Sequence, residues 1–328
     1  MFDSRLRLSD KAPDVTNYLK MSELKDICRE QGLYLSRTRG QNFLIDANML
    51  SQLADITLED SVDSVIEIGA GLGNWTDYLA ERSPKVYALE VDNRFYSVLK
   101  RRMASCPRVE PIHADVLKFD FEGFFRRHPG ERFIIAGNLP YRVVSPILFT
   151  CCRLYRETGG TAFQRACFMV QREVAERMTA EPGRSEYGRL TVMLAYESRV
   201  RLERFVPRQC FFPQPRVDSA FVTLAFGAGL RQGPQQEEDT LFEEVVRVAF
   251  GQRRKQLRNA LAPLGAALQV GRGSFEEVFD RAGVDGSLRA GAVSPEAALR
   301  LARSFRLLSR PDAGQEGDQG PVGKQGRS

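Results

Sequence analysis

The chain is 328 residues long and 43% apolar, enough for one sizeable α/β domain and a smaller second one. Six cysteines with no CxxC pair, and only two histidines, argue against a disulfide framework and against metal chemistry. The net charge of +5 is modest for this length, so it permits an anionic partner without requiring one.

Residues 1–34 are polar, with one helical stretch from Met21 to Glu30, and read as an N-terminal extension or cap. Met1-Phe2-Asp3-Ser4-Arg5 lacks the basic-then-apolar order of a secretory signal, and no run of about 18 apolar residues occurs, so a cytoplasmic protein is expected. Residues 35–226 alternate short β-branched runs with amphipathic stretches. The runs are Ser64 to Ile68, Lys85 to Glu90, Phe133 to Ala136, Cys167 to Val170 and Ala220 to Leu224. Such alternation predicts a Rossmann-like α/β domain with a mostly parallel, doubly wound sheet. Residues 227–238, rich in glycine and glutamine, read as a linker, and residues 239–308 carry helical periodicity with almost no strand signal. A small all-helical C-terminal domain is therefore expected, followed by a disordered tail over 309–328 that has little to bury. Monomer is the default state.

Ile66-Glu67-Ile68 runs directly into Gly69-Ala70-Gly71-Leu72-Gly73, a strand followed by a glycine-rich turn and a helix start. Glycines there let backbone approach a ligand, and the helix N-terminus offers free N–H groups. The Gly-x-Gly-x-Gly spacing differs from that of dinucleotide folds, and no Walker lysine follows it, which argues against a nucleotide triphosphatase while leaving NAD open. Glu90, 21 residues after Gly69 at the end of the next strand, is placed to take both ribose hydroxyls. Asp115, after the third strand, could accept from an adenine amino group.

Asn138-Leu139-Pro140-Tyr141 closes the apolar run that begins at Phe133. Asn138 and the Leu139 carbonyl can accept hydrogen bonds from an amine, Pro140 stiffens the turn, and Tyr141 offers a stacking face. An exocyclic amine on a planar base fits that group. An ordinary turn with a core tyrosine is the alternative for these four residues taken alone.

The order of glycine turn, Glu90, Asp115 and Asn138 resembles the class I S-adenosylmethionine-dependent methyltransferases. With Arg39 to Leu44, Gln171 to Arg177 and Phe211 to Ala220 added, the chain is similar to the adenine N6-dimethyltransferases of ribosomal RNA, most of all to the bacterial small-subunit type. The resemblance runs over roughly Arg37 to Leu308. It implies S-adenosylmethionine as cofactor, held by Gly69, Gly71, Glu90, Asp115 and Asn138, with Asn42 and Leu44 closing over it. Asn42 and Leu44 have no role readable from their own residue types. Phe211 would stack on the target base opposite Tyr141, with an aromatic plug under a proline-stiffened loop as the alternative.

The activity so implied is N6,N6-dimethylation of two adjacent adenines in a loop near the 3′ end of 16S rRNA in the small ribosomal subunit, with a role in ribosome biogenesis and no need of metal or membrane. Asn138, Leu139, Tyr141 and Phe211 form the expected catalytic set. Arg253, Arg254, Lys255 and Arg258 place four positive charges in six residues at a helical spacing and are expected to meet RNA. Arg199, Arg201, Arg204 and Arg208 suggest a second patch, and Arg37 and Arg39 a third. Two other readings stay open: a large-subunit rRNA adenine methyltransferase of the macrolide-resistance type, and a non-catalytic ribosome-assembly factor with the same fold.

Overall fold

The computed structural model describes residues 19, 21–30, 32, 42–60, 62–140, 143–233 and 236–309. These fall into two compact units, one up to residue 233 and one from residue 236. Tyr141, Arg37, Arg39, most of the 1–34 extension and the tail beyond residue 309 lie outside the described residues.

The elements of the first unit, in chain order, are α1 (Met21–Glu30), β1 (Phe43–Leu44), α2 (Ala47–Thr57), β2 (Ser64–Ile68), α3 (Thr76–Arg82), β3 (Lys85–Glu90), α4 (Asn93–Arg102), β4 (Val109–His113), α5 (Phe121–Arg127), β5 (Phe133–Asn138), α6 (Val144–Glu157), β6 (Phe163–Gln171), α7 (Arg172–Met178), α8 (Arg189–Glu197), β7 (Ser198–Val206), β8 (Phe211–Phe212) and β9 (Ser219–Phe226). Seven strands make one sheet in the order β4-β3-β2-β5-β6-β9-β7. The pairs from β4 to β6 are parallel, whereas β9 runs antiparallel to both of its neighbours. Side chains alternate between two buried faces, as they must in a sheet covered on both sides. Ile66, Ile68 and Ile135 face the cluster that holds Phe124, Leu148 and Phe168. Val65, Ile134 and Ala136 face the one that holds Leu53, Trp75 and Leu79.

Several helices start on a side chain that answers a free backbone donor. Asp46 accepts from the Met49 N–H at 2.8 Å to open α2, and Asp92 from the Arg94 N–H at 3.0 Å to open α4. The N-terminal helix α1 is amphipathic, and its Leu24, fully buried, joins Phe43, Leu72, Phe95 and Val98.

Three sequence expectations change. Arg199, Arg201 and Arg204, expected only as part of a basic patch, belong to the edge strand β7, where half-buried Val200 and Leu202 alternate with exposed Arg199 and Arg201. The expected linker is tied down at its start: Gly227, Leu230 and Arg231 donate backbone N–H groups to Glu197, Ala195 and Tyr196 carbonyls at 3.1, 3.1 and 2.8 Å. At its end, residues 236–238 form the first turn of α9 (Gln236–Gly251).

The second unit is helical, with α9 followed by α10 (Leu257–Ala267), α11 (Arg272–Ala282) and α12 (Pro295–Leu308). Glu238, 3% exposed at its side chain, anchors α9 to α12 through Arg303 at 2.9 Å. Arg253 and Arg254 lie in a turn and Lys255 in the bend after it; only Arg258 is helical, contrary to the spacing. Extended backbone at Gln256, which bridges to Arg289, breaks the helix there.

The chain leaves β2 toward β3 and β4, then returns to the other side of β2 with β5, so the sheet has a topological switch point between the carboxyl ends of β2 and β5. Gly137 sits there opposite Ile68, where an added Cβ would lie 2.6 Å from the Ile68 carbonyl oxygen. Gly137→Ala is expected to cost about 1–3 kcal/mol by overpacking. Urea unfolding measures it, and an unchanged midpoint would contradict the close approach.

Candidate functional site

A cavity of about 540 Å3 opens at this switch point, lined among others by Asn42, Phe43, Gly69, Gly71, Glu90, Val91, Asp92, Asp115, Leu117, Asn138 and Pro140. Its charged lining is acidic throughout, which suits a ligand that carries positive charge. Six of the residues expected at the cofactor, Asn42, Gly69, Gly71, Glu90, Asp115 and Asn138, come together in it. Leu44 does not: its side chain is 4% exposed and packs with Leu50 and Leu53, while its carbonyl accepts from Asn74 Nδ2 at 3.2 Å.

The glycine turn has its shape fixed from several directions. Gly69, Gly71 and Gly73 all have positive φ, 73°, 60° and 87°. At Gly71 there is no room for a side chain either, since a Cβ would meet the Phe43 ring at 2.6 Å. Glu90 receives the Gly71 N–H on Oε2 and the Asp92 N–H on Oε1, both at 2.8 Å, so it orders the turn and its own loop together. Each oxygen keeps acceptor capacity for a hydroxyl. From the end of α4, Arg102 donates to the Leu72 carbonyl and to Asp77 Oδ2, the latter at 2.7 Å. Asp115 accepts the Leu117 N–H on Oδ1 at 3.0 Å, which holds its loop at the cavity.

Beneath the turn lies Glu67, 2% exposed, whose Oε2 accepts from the Thr76 hydroxyl at 2.5 Å. Burial pushes its carboxyl up to about 8, and Asp77 and Glu90 add to the rise, so Glu67 carries a proton at neutral pH. Burial also pushes Asp77 up to about 6 against the pull of Arg102. Sequence reasoning assigned neither Glu67, Asp77 nor Arg102 a role. A glutamate inside an otherwise apolar strand was the signal available for the first.

Asn138 ends β5, and its Nδ2 donates to the Asn42 main-chain carbonyl at 2.9 Å. Only the amide nitrogen can donate, so this bond decides the amide's orientation and leaves Oδ1 free to accept. The next residue is held as well: the Leu139 N–H donates to the Met169 carbonyl at 3.1 Å, and no donor among the described residues reaches the Leu139 carbonyl. Two acceptors, Asn138 Oδ1 and Leu139 O, thus follow each other at the end of β5, where Asn138 and Pro140 line the cavity. Asn42 Oδ1 is buried with no hydrogen-bond partner among the described residues, a further acceptor at the cavity. Phe211 corrects an expectation: it pairs with Leu44 between β1 and β8 and is 3% exposed, packed with Trp75, Val206 and Phe221. Its ring is an aromatic plug with no open face for a base, because the β1–β8 pairing turns it into the core. Tyr141 lies outside the described residues.

Fold and site together define a class I S-adenosylmethionine-dependent methyltransferase. The model of the family described as ribosomal RNA adenine dimethylase matches residues 35–306, and the chain belongs to that family. A ribosomal RNA small subunit methyltransferase A from Shouchella clausii is 35% identical over 291 residues, covering 87% of this chain and 95% of its own. Its counterpart from Ligilactobacillus salivarius is 36% identical over 259 residues, with 78% and 84% covered. Among solved structures, the 23S rRNA methyltransferase ErmE superposes with a TM-score of 0.61 at 28% identity, over 80% of this chain and 99% of its own. A dimethyladenosine transferase from Plasmodium falciparum shares the fold, with a TM-score of 0.61 at 24% identity over 81% and 98%. The chain is accordingly a ribosomal RNA adenine dimethyltransferase with S-adenosylmethionine as methyl donor.

Two outcomes follow from the site's electrostatics. A carboxyl whose folded pKa lies above the unfolded value stabilises the fold fully below about pH 4.5. That contribution then falls by about 1.4 kcal/mol per pH unit up to about pH 8. Glu67→Gln should therefore lose less stability than the parent between pH 5 and 7.5 in urea titrations, and equal pH slopes would contradict a neutral Glu67. Arg102→Ala leaves Asp77 buried without its cation and the Leu72 carbonyl unheld. Calorimetry should show S-adenosylmethionine binding weakened about tenfold, the scale of one charged hydrogen bond, whereas the exposed Arg126→Ala leaves it unchanged.

Proposed function

We propose that this chain dimethylates N6 of two adjacent adenines in a loop near the 3′ end of 16S rRNA in the small ribosomal subunit, as a cytoplasmic monomer with a role in ribosome biogenesis. The named activity of relatives that match most of the chain at 35–36% identity supports the small-subunit assignment. The large-subunit reading rests on a more distant likeness, at 28% identity.

The observation that carries the chemistry is the Asn138 amide fixed by Asn42, with Oδ1 turned away from that bond. An aromatic amine is a weak nucleophile because its lone pair is delocalised into the ring. If Asn138 Oδ1 and Leu139 O each accept one N6 hydrogen, the nitrogen is drawn toward a pyramidal shape and its lone pair is aimed along one direction. Bound S-adenosylmethionine supplies a methyl group already activated by its sulfonium. Gly69, Gly71, Glu90, Asp115, Asn42 and Asn138 would hold it, and the acidic lining matches its positive charge. Tyr141 would hold the base by stacking, worth about 1–3 kcal/mol. An adenine can present both N6 hydrogens to the acceptors only after it leaves its stack, which favours a loop over a regular duplex. Arg253, Arg254 and Lys255, exposed between α9 and α10, would contact phosphate, and Arg258, half-buried beside Gly286, is less open to it.

Incubation with labelled S-adenosylmethionine and ribosomal subunits from a strain lacking the enzyme should label small-subunit RNA alone. Label on large-subunit RNA would move the assignment to the macrolide-resistance type, and no label on either would favour a binding role. In the same assay Asn138→Ala should lose methyl transfer at least a hundredfold, the scale of one lost preorganised contact, with cofactor affinity weakened at most moderately. Wild-type turnover by that variant would end the amine-orientation mechanism.

A further inference from the structure

We propose that Phe205, Arg172, Arg208 and Arg216 form a docking platform for the RNA strand flanking the target adenine, an inference that rests on the RNA reading above. β6 ends at Gln171, β7 ends at Val206, and β9 begins at Ser219, so three strand ends lie side by side at the sheet's carboxyl edge. Asn138 ends its strand at the same edge, paired with Met169 two residues before Gln171. The platform is therefore continuous with the catalytic acceptors along one edge.

Asp218 knots the segments of this corner together. Its carbonyl accepts the Arg172 N–H, and its carboxylate accepts the Arg208 N–H, both at 3.0 Å. Arg208 Nη1 in turn donates to the Arg216 carbonyl at 3.4 Å. The Arg172 guanidinium, bonded to Glu176 at 2.8 Å, lies 4.8 Å from the centre of the Phe205 ring. Among the described residues no ion pair reaches Arg208 or Arg216, and both are exposed. The corner thus leaves the Arg208 and Arg216 guanidiniums without an ion pair among the described residues, while the Glu176 carboxylate is paired with Arg172 and the Asp218 carboxylate, which keeps its charge, holds a backbone N–H.

Phe205 is 45% exposed and Val217 on the same corner 44%, a large apolar exposure with no role in the fold's core. A ring flanked by a guanidinium, beside two exposed arginines with no ion pair among the described residues, is the combination that binds single-stranded nucleic acid: stacking for a base, charge for the backbone. Stacking on Phe205 would also give an extruded strand a landing place next to the cavity, independent of base identity.

The test compares Phe205→Ala, Phe205→Trp and the double variant Arg208→Ala/Arg216→Ala with the parent protein. RNA affinity is read by filter binding of a loop RNA at several salt concentrations, methyl transfer by kinetics, and cofactor affinity by calorimetry. Phe205→Ala should weaken RNA binding and raise its KM about tenfold, the scale of one lost base stack, and Phe205→Trp should restore both. The double variant should lower the slope of log affinity against log salt by about two. Cofactor affinity and melting temperature should stay unchanged. RNA affinity and salt slope equal to the parent's would overturn the platform, as would a loss seen only on assembled subunits, which would mark a protein contact. Should the parent transfer no methyl to any RNA, the enzymatic reading fails separately, because filter binding still reads the platform.

Discussion

The amide of Asn138 could point either way at the end of its strand, and the Asn42 carbonyl removes that freedom. The bond joins residues 96 apart in sequence, so the chain entering the domain fixes the orientation of the amide at the sheet's carboxyl edge. An acceptor aimed in advance needs no rearrangement when charge develops on the amine, which is where preorganised dipoles are most effective. The rest of the site depends on that geometry. The Leu139 carbonyl follows Asn138 in the same turn, and the bond from its N–H to Met169 fixes the turn to β6.

A second constraint acts on the cofactor side. The glycine turn is held by Glu90 from β3, Arg102 from α4, and Thr76 bonded to Glu67 beneath it. None of these contacts uses a residue that can be read as a ligand contact alone, and Glu90 serves turn and cavity together. The acids around the turn outnumber its cation. Burial resolves the conflict by keeping Glu67 neutral rather than by adding positive charge, and an acidic cavity is left for a cationic ligand.

The sheet was legible in the sequence because its central strands are unbroken apolar runs, and the ends of β2, β3 and β5 carried Gly69, Glu90 and Asn138 into view. Strand β7 was not, because an edge strand exposes every second residue and its arginines read as a charge cluster. Gly227 and Gly229 looked like a linker because glycine marks both flexible chain and close packing. At Gly229 a Cβ would lie 2.5 Å from the Tyr196 carbonyl, so the second meaning holds there. Composition could not tell whether Phe211 faces a base or the core, since the β1–β8 pairing that buries it joins two-residue strands far apart in sequence. The same limit hid the bond from the Asn42 backbone carbonyl to Asn138, which no side-chain pattern records. Arg253 to Lys255 showed their charge but not their turn, which depends on a bridge to Arg289.

The most direct test is a crystal structure of the protein with S-adenosylhomocysteine and adenosine in the site. Asn138 Nδ2 should still donate to the Asn42 carbonyl while Asn138 Oδ1 and the Leu139 carbonyl each lie within hydrogen-bond distance of the adenine N6. An amide turned over, with Nδ2 facing the amine and the Asn42 bond broken, would contradict the account.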